Sequence, residues 1–478
     1  MTARSSSTTL HALASFLWAA TLLALPVTSF RYFPAGEGTF VRPLAFFPLV
    51  LLLLTLLAQL VRRETTPPRA GALTALAAFL LAAIVLSLLG ILQAPVPMRG
   101  QDVVGRTLRA WLTLMMGAGF FVGAIWMNRE EAQVWFSVRW LLAGFVIDIL
   151  WSGLQAATFY LQILPKPLLT HWQRLFSLRE LIRTNRVSGL AYEPSWLAGQ
   201  IATVYLPWLL ASLLTRVRVY KLRWLEPCLL VGASALVVAT FSRGGILTTV
   251  ASAGLTFLLV GRSEIRAAWG WFISGFGRFR DLVLRMAVLT VAVGSVAGAV
   301  LFLAQKGYIS RLWDTPASDL SEFLVRNSAG ARAAYLTSAI RIYEDHPWTG
   351  VGLGASGFYM YSRLPDWALT TVPEIARQLS PENSLYPNPK NLYMRLLAET
   401  GIMGFILFLA FQFALLGDAL AALRGRTPVW RFLGTAALCT WLALFLYSMT
   451  QDSFATPNLW INLGILAGVS GMQLKAGS

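Results

Sequence analysis

Apolar residues run along this chain in long blocks, with short polar links between them. Blocks of the roughly 17 to 25 residues needed to cross a hydrocarbon core fall at 11–29, 41–60, 70–92, 108–127, 134–160, 194–214, 226–241, 245–260, 284–304, 402–420, 430–449 and 457–474. The pattern predicts an all-α polytopic membrane protein with about 12 transmembrane helices, because a helix satisfies its own peptide groups where no water is at hand. The blocks 226–241 and 245–260 are short and closely joined, which leaves a re-entrant pair open beside two full crossings. The first block follows one arginine and has the look of a signal peptide, yet eleven similar blocks come after it, so it reads as the start of a bundle.

One interval breaks the rhythm. From 305 to 400 the chain stays largely polar, which divides it into an N-terminal bundle (1–304), a large external loop domain (305–400) and C-terminal helices (401–478). Within the loop, apolar residues at helical spacing through Phe323, Leu324, Ala331, Tyr335, Leu336, Ala339, Ile340 and Ile342 predict one or two helices ending before Pro347. The glycine-rich stretch TGVGLGASGF follows, and then a Pro- and Ser-rich segment that reads as a loop with a short helical turn or two.

Composition agrees and adds sidedness. Charged residues make up 13% and hydrophobic ones 56%, whereas soluble domains carry about 25% charged residues. The net charge of +17 sits mostly in the links, where it suits anionic headgroups and topology selection; nucleic acid is not the partner it implies. Lys and Arg in the links 61–69, 128–133, 215–225, 261–281 and 421–429 place those links and both termini in the cytoplasm and 305–400 outside. Two links oppose the trend: 93–107, with Arg99 and Arg106, and 161–193, with Lys166, Arg174, Arg179, Arg183 and Arg186. Cys228 and Cys439 lie in apolar runs without metal-ligand spacing, so neither a disulfide framework, a metal site nor a cofactor is indicated.

Four polar constellations fall on the predicted outer side. In TNRVSGLAYEPSWLAGQ (184–200), Arg186 precedes a helix opened by Glu193 and Pro194; Glu193 either complements the helix dipole or faces a cavity. In ATFSRGGIL (239–247), Arg243 sits between apolar runs beside Gly244 and Gly245, where it either snorkels to headgroups or offers a planar fork to a diphosphate. In DHPWTGVGLGASGF (345–358), His346 precedes Gly350, Gly352 and Gly354 without matching a known phosphate-loop fingerprint. In NPKNLYMRLLAETGIMG (388–404), Asn391, Arg395 and Glu399 recur at helical spacing and should share a face, with Lys390 free to point where that face points. Arg395 and Glu399 read equally as a salt-bridged surface pair.

Taken in order, the SRG-containing corner Phe241–Gly245, the segment HPWTGVGLGASGF (346–358), and Lys390–Asn391 followed by Gly401 and Gly404 resemble the motifs of the O-antigen ligase and Wzy-type O-antigen and exopolysaccharide polymerase family. The resemblance implies a GT-C-like, metal-independent glycosyltransferase on the outer face of the bacterial cytoplasmic membrane. Its donor would be a glycan on polyprenyl (undecaprenyl) diphosphate. The acceptor would be a lipid-linked repeat unit for a polymerase, lipid A-core for a ligase, or a protein; membrane lipids and a chain-length regulator join the partners. The EPSW segment (193–196) leans towards a polymerase. By this resemblance Glu193, Arg243 and Lys390 are the catalytic candidates, with Arg186, Arg243 and Lys390 on the diphosphate. His346, Gly350, Gly352, Gly354, Asn391, Arg395 and Glu399 shape the acceptor side. Lys390 departs from the pattern, for the family has histidine there; a lysine of pKa about 10.4 is a poor base at neutral pH but a good cation for a leaving diphosphate. A polytopic transporter of lipid or glycan is the alternative from another class, and the absence of evident pairing between the halves stands against it.

Overall fold

The computed structural model describes residues 2–34, 39–182, 185–274, 279–305, 329–380 and 386–476. In chain order its helices are α1 (Thr2–Ala24), α2 (Phe46–Val61), α3 (Gly71–Leu92), α4 (Val103–Trp126), α5 (Glu131–Leu161), α6 (Lys166–Arg174), α7 (Pro194–Gln200), α8 (Leu206–Thr215), α9 (Leu225–Ala239), α10 (Arg243–Val260), α11 (Arg262–Ile273) and α12 (Phe279–Gln305). The excursion contributes α13 (Gly330–Asp345) and the short α14 (Ser356–Met360), α15 (Asp366–Thr371) and α16 (Pro373–Leu379), before α17 (Leu392–Leu423), α18 (Pro428–Tyr447) and α19 (Ile461–Ala476) return to the bundle. The predicted start of the loop helix at Phe323 and Leu324 lies outside the described residues.

The molecule is an all-α, multi-pass membrane protein with a large helical loop. Eight of the described helical segments are long and apolar enough to cross a membrane, and four shorter apolar helices occupy the remaining hydrophobic runs. An even number of such segments is consistent with both termini on one side. The short pair is resolved into α9 and α10, joined by the three-residue corner 240–242. Little of α12 is buried in the protein, and its exposed side chains are apolar, among them Val291, Val296 and Leu301, as lipid contact requires.

Two breaks in helix regularity carry consequences. Between α7 and α8 the backbone widens into a π-helical turn at Ile201–Tyr205. Pro207 has no N–H for the Thr203 carbonyl, and Asn462 on α19 supplies the missing donor, its Nδ2 reaching the Thr203 and Val204 carbonyls at 2.9 Å each. The second break is in α17, where Gly401 adopts φ 58° and ψ −166°, a region nearly restricted to glycine. The loop 347–352 fills that gap as an extra strand would. Val351 N donates to Ala398 O at 3.0 Å, Gly352 N to Glu399 O at 2.9 Å, and Ile402 N to Pro347 O at 2.8 Å.

Two arginines of the link 93–107, which opposes the positive-inside trend, have structural partners. Arg99 donates to the Gln378 carbonyl and lies over the Tyr361 ring. Arg106 stacks 3.8 Å from the centroid of Tyr386. Both tie the large loop to the bundle, and cation–π contact of this kind gains strength as water is excluded.

Candidate functional site

The N-terminal ends of α7, α10 and α17 gather around the C-terminal end of α18, and glycines let α7, α10 and α18 approach closely. A Cβ on Gly245 would lie 2.3 Å from Ala198 Cβ, and one on Gly199 would lie 2.2 Å from the Tyr447 ring. Only glycine permits these approaches, so α7, α10 and α18 close together behind Glu193 and Arg243.

Arg186 belongs to the same unit. Its Nε donates to Thr240 O at 2.9 Å and its Nη2 to Phe241 O at 3.1 Å, while Val187 N donates to Ala239 O at 3.2 Å. These bonds take up carbonyls at the end of α9 and fix the corner, in which Phe241 has φ 49° and Ser242 Oγ caps α10 by accepting from Gly245 N at 3.2 Å. Arg243 is then the first residue of α10. Glu193 stands exposed at the N-cap of α7 and accepts from Ser195 Oγ at 3.0 Å. Burial pulls the Arg179 guanidinium below its usual range, and Glu193 is the strongest of the charges pushing it back, which places a further cation beside that carboxylate.

The second group forms where α17 begins. Asn391 is its N-cap: the side chain accepts from Tyr393 N and Met394 N at 3.0 and 3.1 Å, satisfying orphan amides of the first turn. Its side-chain oxygen is thereby committed to the helix backbone. Arg395 and Glu399 form a close ion pair at 2.9 Å with side chains 13% and 3% exposed, so the surface-pair reading gives way to a buried one. Glu399 also accepts from Ser356 Oγ at 2.8 Å, and Arg395 Nη1 donates to Asp452 O at 2.7 Å. Lys390 has φ 51°; its amide donates to Asp452 Oδ2 at 3.1 Å, and its ammonium lies 3.5 Å from Glu374 on α16, both side chains being well exposed.

The glycine loop is explained by packing. Gly350, Gly352 and Gly354 have φ of 64°, 95° and 82°. Side chains there would strike the backbone at Glu399 and Thr400, the Gly90 Cα, and the Arg106 carbonyl. Each alternate glycine thus touches a different element: α17, α3 and α4 in turn. His346 terminates α13, its ring 6.0 Å from that of Tyr359.

The link 448–454, which the motif reading passed over, joins the two groups. Ser448 O accepts from Leu392 N at 2.8 Å, and Asp452 holds the backbone of Lys390 and the side chain of Arg395. Thr450 packs against Gly244, beside Arg243, within about 3.4 Å of where a Cβ would stand. Asp452 is the single acidic residue after Asp418, a signal that was available in the sequence. Burial raises its carboxyl pKa, opposed first by Arg395 and then by the Lys390 amide. Among the described residues, no group of three or more His, Cys, Asp or Glu side chains is placed to hold a metal ion.

The class of protein defined so far is a multi-pass α-helical membrane protein with a charged site on the end of the bundle that carries the large loop. Residues 228–409 match the family described as O-Antigen ligase, a stretch that includes the Arg243 corner, the glycine loop and Lys390 to Glu399. The resemblance read from the motifs is borne out over that part of the chain. No curated protein matches it.

Proposed function

We propose that the chain is a glycosyltransferase of O-antigen ligase type, with twelve crossings, a GT-C-like bundle and its site on the outer face of the cytoplasmic membrane. An acceptor hydroxyl attacks C1 of the donor sugar, and the C1–O bond to the polyprenyl diphosphate breaks. The bonding pair leaves with the diphosphate, and the hydroxyl proton passes to a carboxylate, for which Glu193 is the exposed candidate. The observation that carries this reading is the Arg186 fork on the Thr240 and Phe241 carbonyls, which fixes the turn that starts α10 at Arg243. A guanidinium held at a helix N-terminus adds to the dipole in favouring a diphosphate. Lys390 supplies a second cation from the other group. Its exposed pair with Glu374 is of the kind worth about 0–1 kcal/mol, so exchange of that partner for a phosphate costs little.

The family description favours lipid A-core as acceptor over a lipid-linked repeat unit, which reverses the order that EPSW gave. The decisive experiment measures binding of polyprenyl diphosphate to the purified full chain, with polyprenol as control. Arg243→Ala should weaken diphosphate binding on the order of tenfold or more and leave polyprenol unchanged, with Arg243→Lys in between. Equal diphosphate affinity in wild type and Arg243→Ala overturns the proposal.

A further inference from the structure

Inside the bundle, α5 carries Asp148 and Gln155 at 0% exposure. Seven residues apart, they lie on one helical face. Polar side chains at membrane depth are costly and mark function by default, and nothing in the charged outer site described above uses these two directly. What they hold is backbone. Gln155 Oε1 accepts from Ser188 N at 3.0 Å and Gly189 N at 2.9 Å, and its Nε2 donates to Gly189 O at 2.9 Å. Asp148 Oδ1 accepts from Leu190 N at 2.9 Å. Gln173 on α6 steadies the glutamine, accepting from Gln155 Nε2 at 3.2 Å and from Trp151 Nε1 at 2.6 Å. The fit is close on the other side too: Gly189 has φ 58°, and a Cβ there would stand 2.3 Å from Asp148 Oδ1.

The gripped segment lies between the two residues that matter most to the outer site. Arg186 is two residues before Ser188, and Glu193 three after Leu190. The stretch has no helix or sheet of its own to fix it; beside the backbone bonds from Val187 N to Ala239 O and from Ala191 N to Ser188 O, these side-chain bonds hold its register. We infer that Asp148 and Gln155 are positioning residues: by holding Ser188–Leu190 they set Arg186 against the carbonyls of the Arg243 corner and Glu193 at the start of α7. Asp148 acts through its Oδ1 as an acceptor, Gln155 through three bonds to the same segment. The inference rests on the diphosphate-binding reading only for its functional consequence, and its structural half is tested separately.

The test is a double-mutant cycle on polyprenyl diphosphate binding to the purified full chain. Gln155→Leu and Arg186→Ala should each weaken binding on the order of tenfold, and the double variant should be little worse than either, because both break one linkage. Asp148→Asn, which keeps the acceptor, should stay within about twofold of wild type. Where Arg186→Ala weakens binding, losses that add in the double variant, or a folded Gln155→Leu with wild-type affinity, overturn the inference. Should Gln155→Leu fail to fold, Gly189→Ala makes the same lesion from the backbone side and takes its place in the cycle. A second readout needs no ligand: with Cys228 and Cys439 replaced, Asn185→Cys should react with a maleimide several-fold faster when Gln155→Leu or Gly189→Ala is added. Faster labelling with no effect of Arg186→Ala or Arg243→Ala on binding leaves the positioning role standing and removes the proposed function. Unchanged labelling removes the positioning role.

Discussion

Gly352 donates its amide to the carbonyl of Glu399 at 2.9 Å, and so a loop residue completes the hydrogen bonding of a membrane helix. The break that exposes this carbonyl depends on Gly401, where a Cβ would lie 2.4 Å from the Trp348 carbonyl. Gly401→Ala should therefore destabilise the protein by about 3 kcal/mol or more, from backbone strain and collision together. Gly417 lies on the same helix with open space around it, and Gly417→Ala should range from neutral to about 1 kcal/mol stabilising. Thermal unfolding of the two purified variants, followed by size-exclusion profile, makes the comparison; equal melting temperatures would refute it.

Lys390 is paired with Glu374 across exposed side chains. Were its task a cation for the diphosphate, Lys390→Met should weaken polyprenyl diphosphate binding on the order of tenfold while Lys390→Arg stays within a few-fold of wild type. Glu374→Gln frees the ammonium and should bind as well as wild type or better. A methionine variant with full affinity takes Lys390 out of the site.

Asp452 gives a pH signature. Its folded carboxyl is held above the usual range by burial, whereas in the unfolded chain it ionises near about 3.9. Between those values the folded state carries the extra proton, so this contribution to stability is present at the acid end and is lost as pH climbs through the raised value. Asp452→Asn keeps an oxygen for the Lys390 amide and abolishes the titration. The melting temperature of wild type should fall relative to the variant as pH rises over that interval; parallel profiles would sink the assignment.

Sidedness is tested by thiol accessibility in a background lacking Cys228 and Cys439. Ser362→Cys, exposed in the external loop, should react with an impermeant maleimide in intact spheroplasts, and Ser263→Cys, exposed at the start of α11, only after lysis. The reverse pattern would turn the whole topology over. Ser328, a natural second choice, lies outside the described residues.

The helices were legible because each apolar run carries its own signal, independent of its neighbours. The start of α17 was not: the run reads from 402, but the helix begins at Leu392, since Arg395 and Glu399 neutralise each other inside the protein and so look like loop residues to a hydropathy scan. The alternating glycines stood out as a motif, while their cause stayed hidden, because it lies in Gly90, Arg106 and Glu399, far away in sequence. Arg186 and Arg243 lie in separate motifs of the sequence, and the folded chain links them through the Thr240 and Phe241 carbonyls. Asp148 and Gln155 escaped notice within an otherwise apolar run, though their seven-residue spacing was there to be read.

The loop that fills the gap in α17 also has a place in time. Synthesis runs from the N-terminus, so Pro347, Val351 and Gly352 leave the ribosome before Ala398, Glu399 and Ile402, the groups they will bond. On the proposed sidedness they are already exported when α17 inserts, and its interrupted turn meets a waiting partner instead of acyl chains. Each peptide group left facing lipid would cost several kcal/mol. A circular permutant that delivers α17 first would reverse this order of arrival, and its nascent helix would have to cross the translocon with the interruption unfilled.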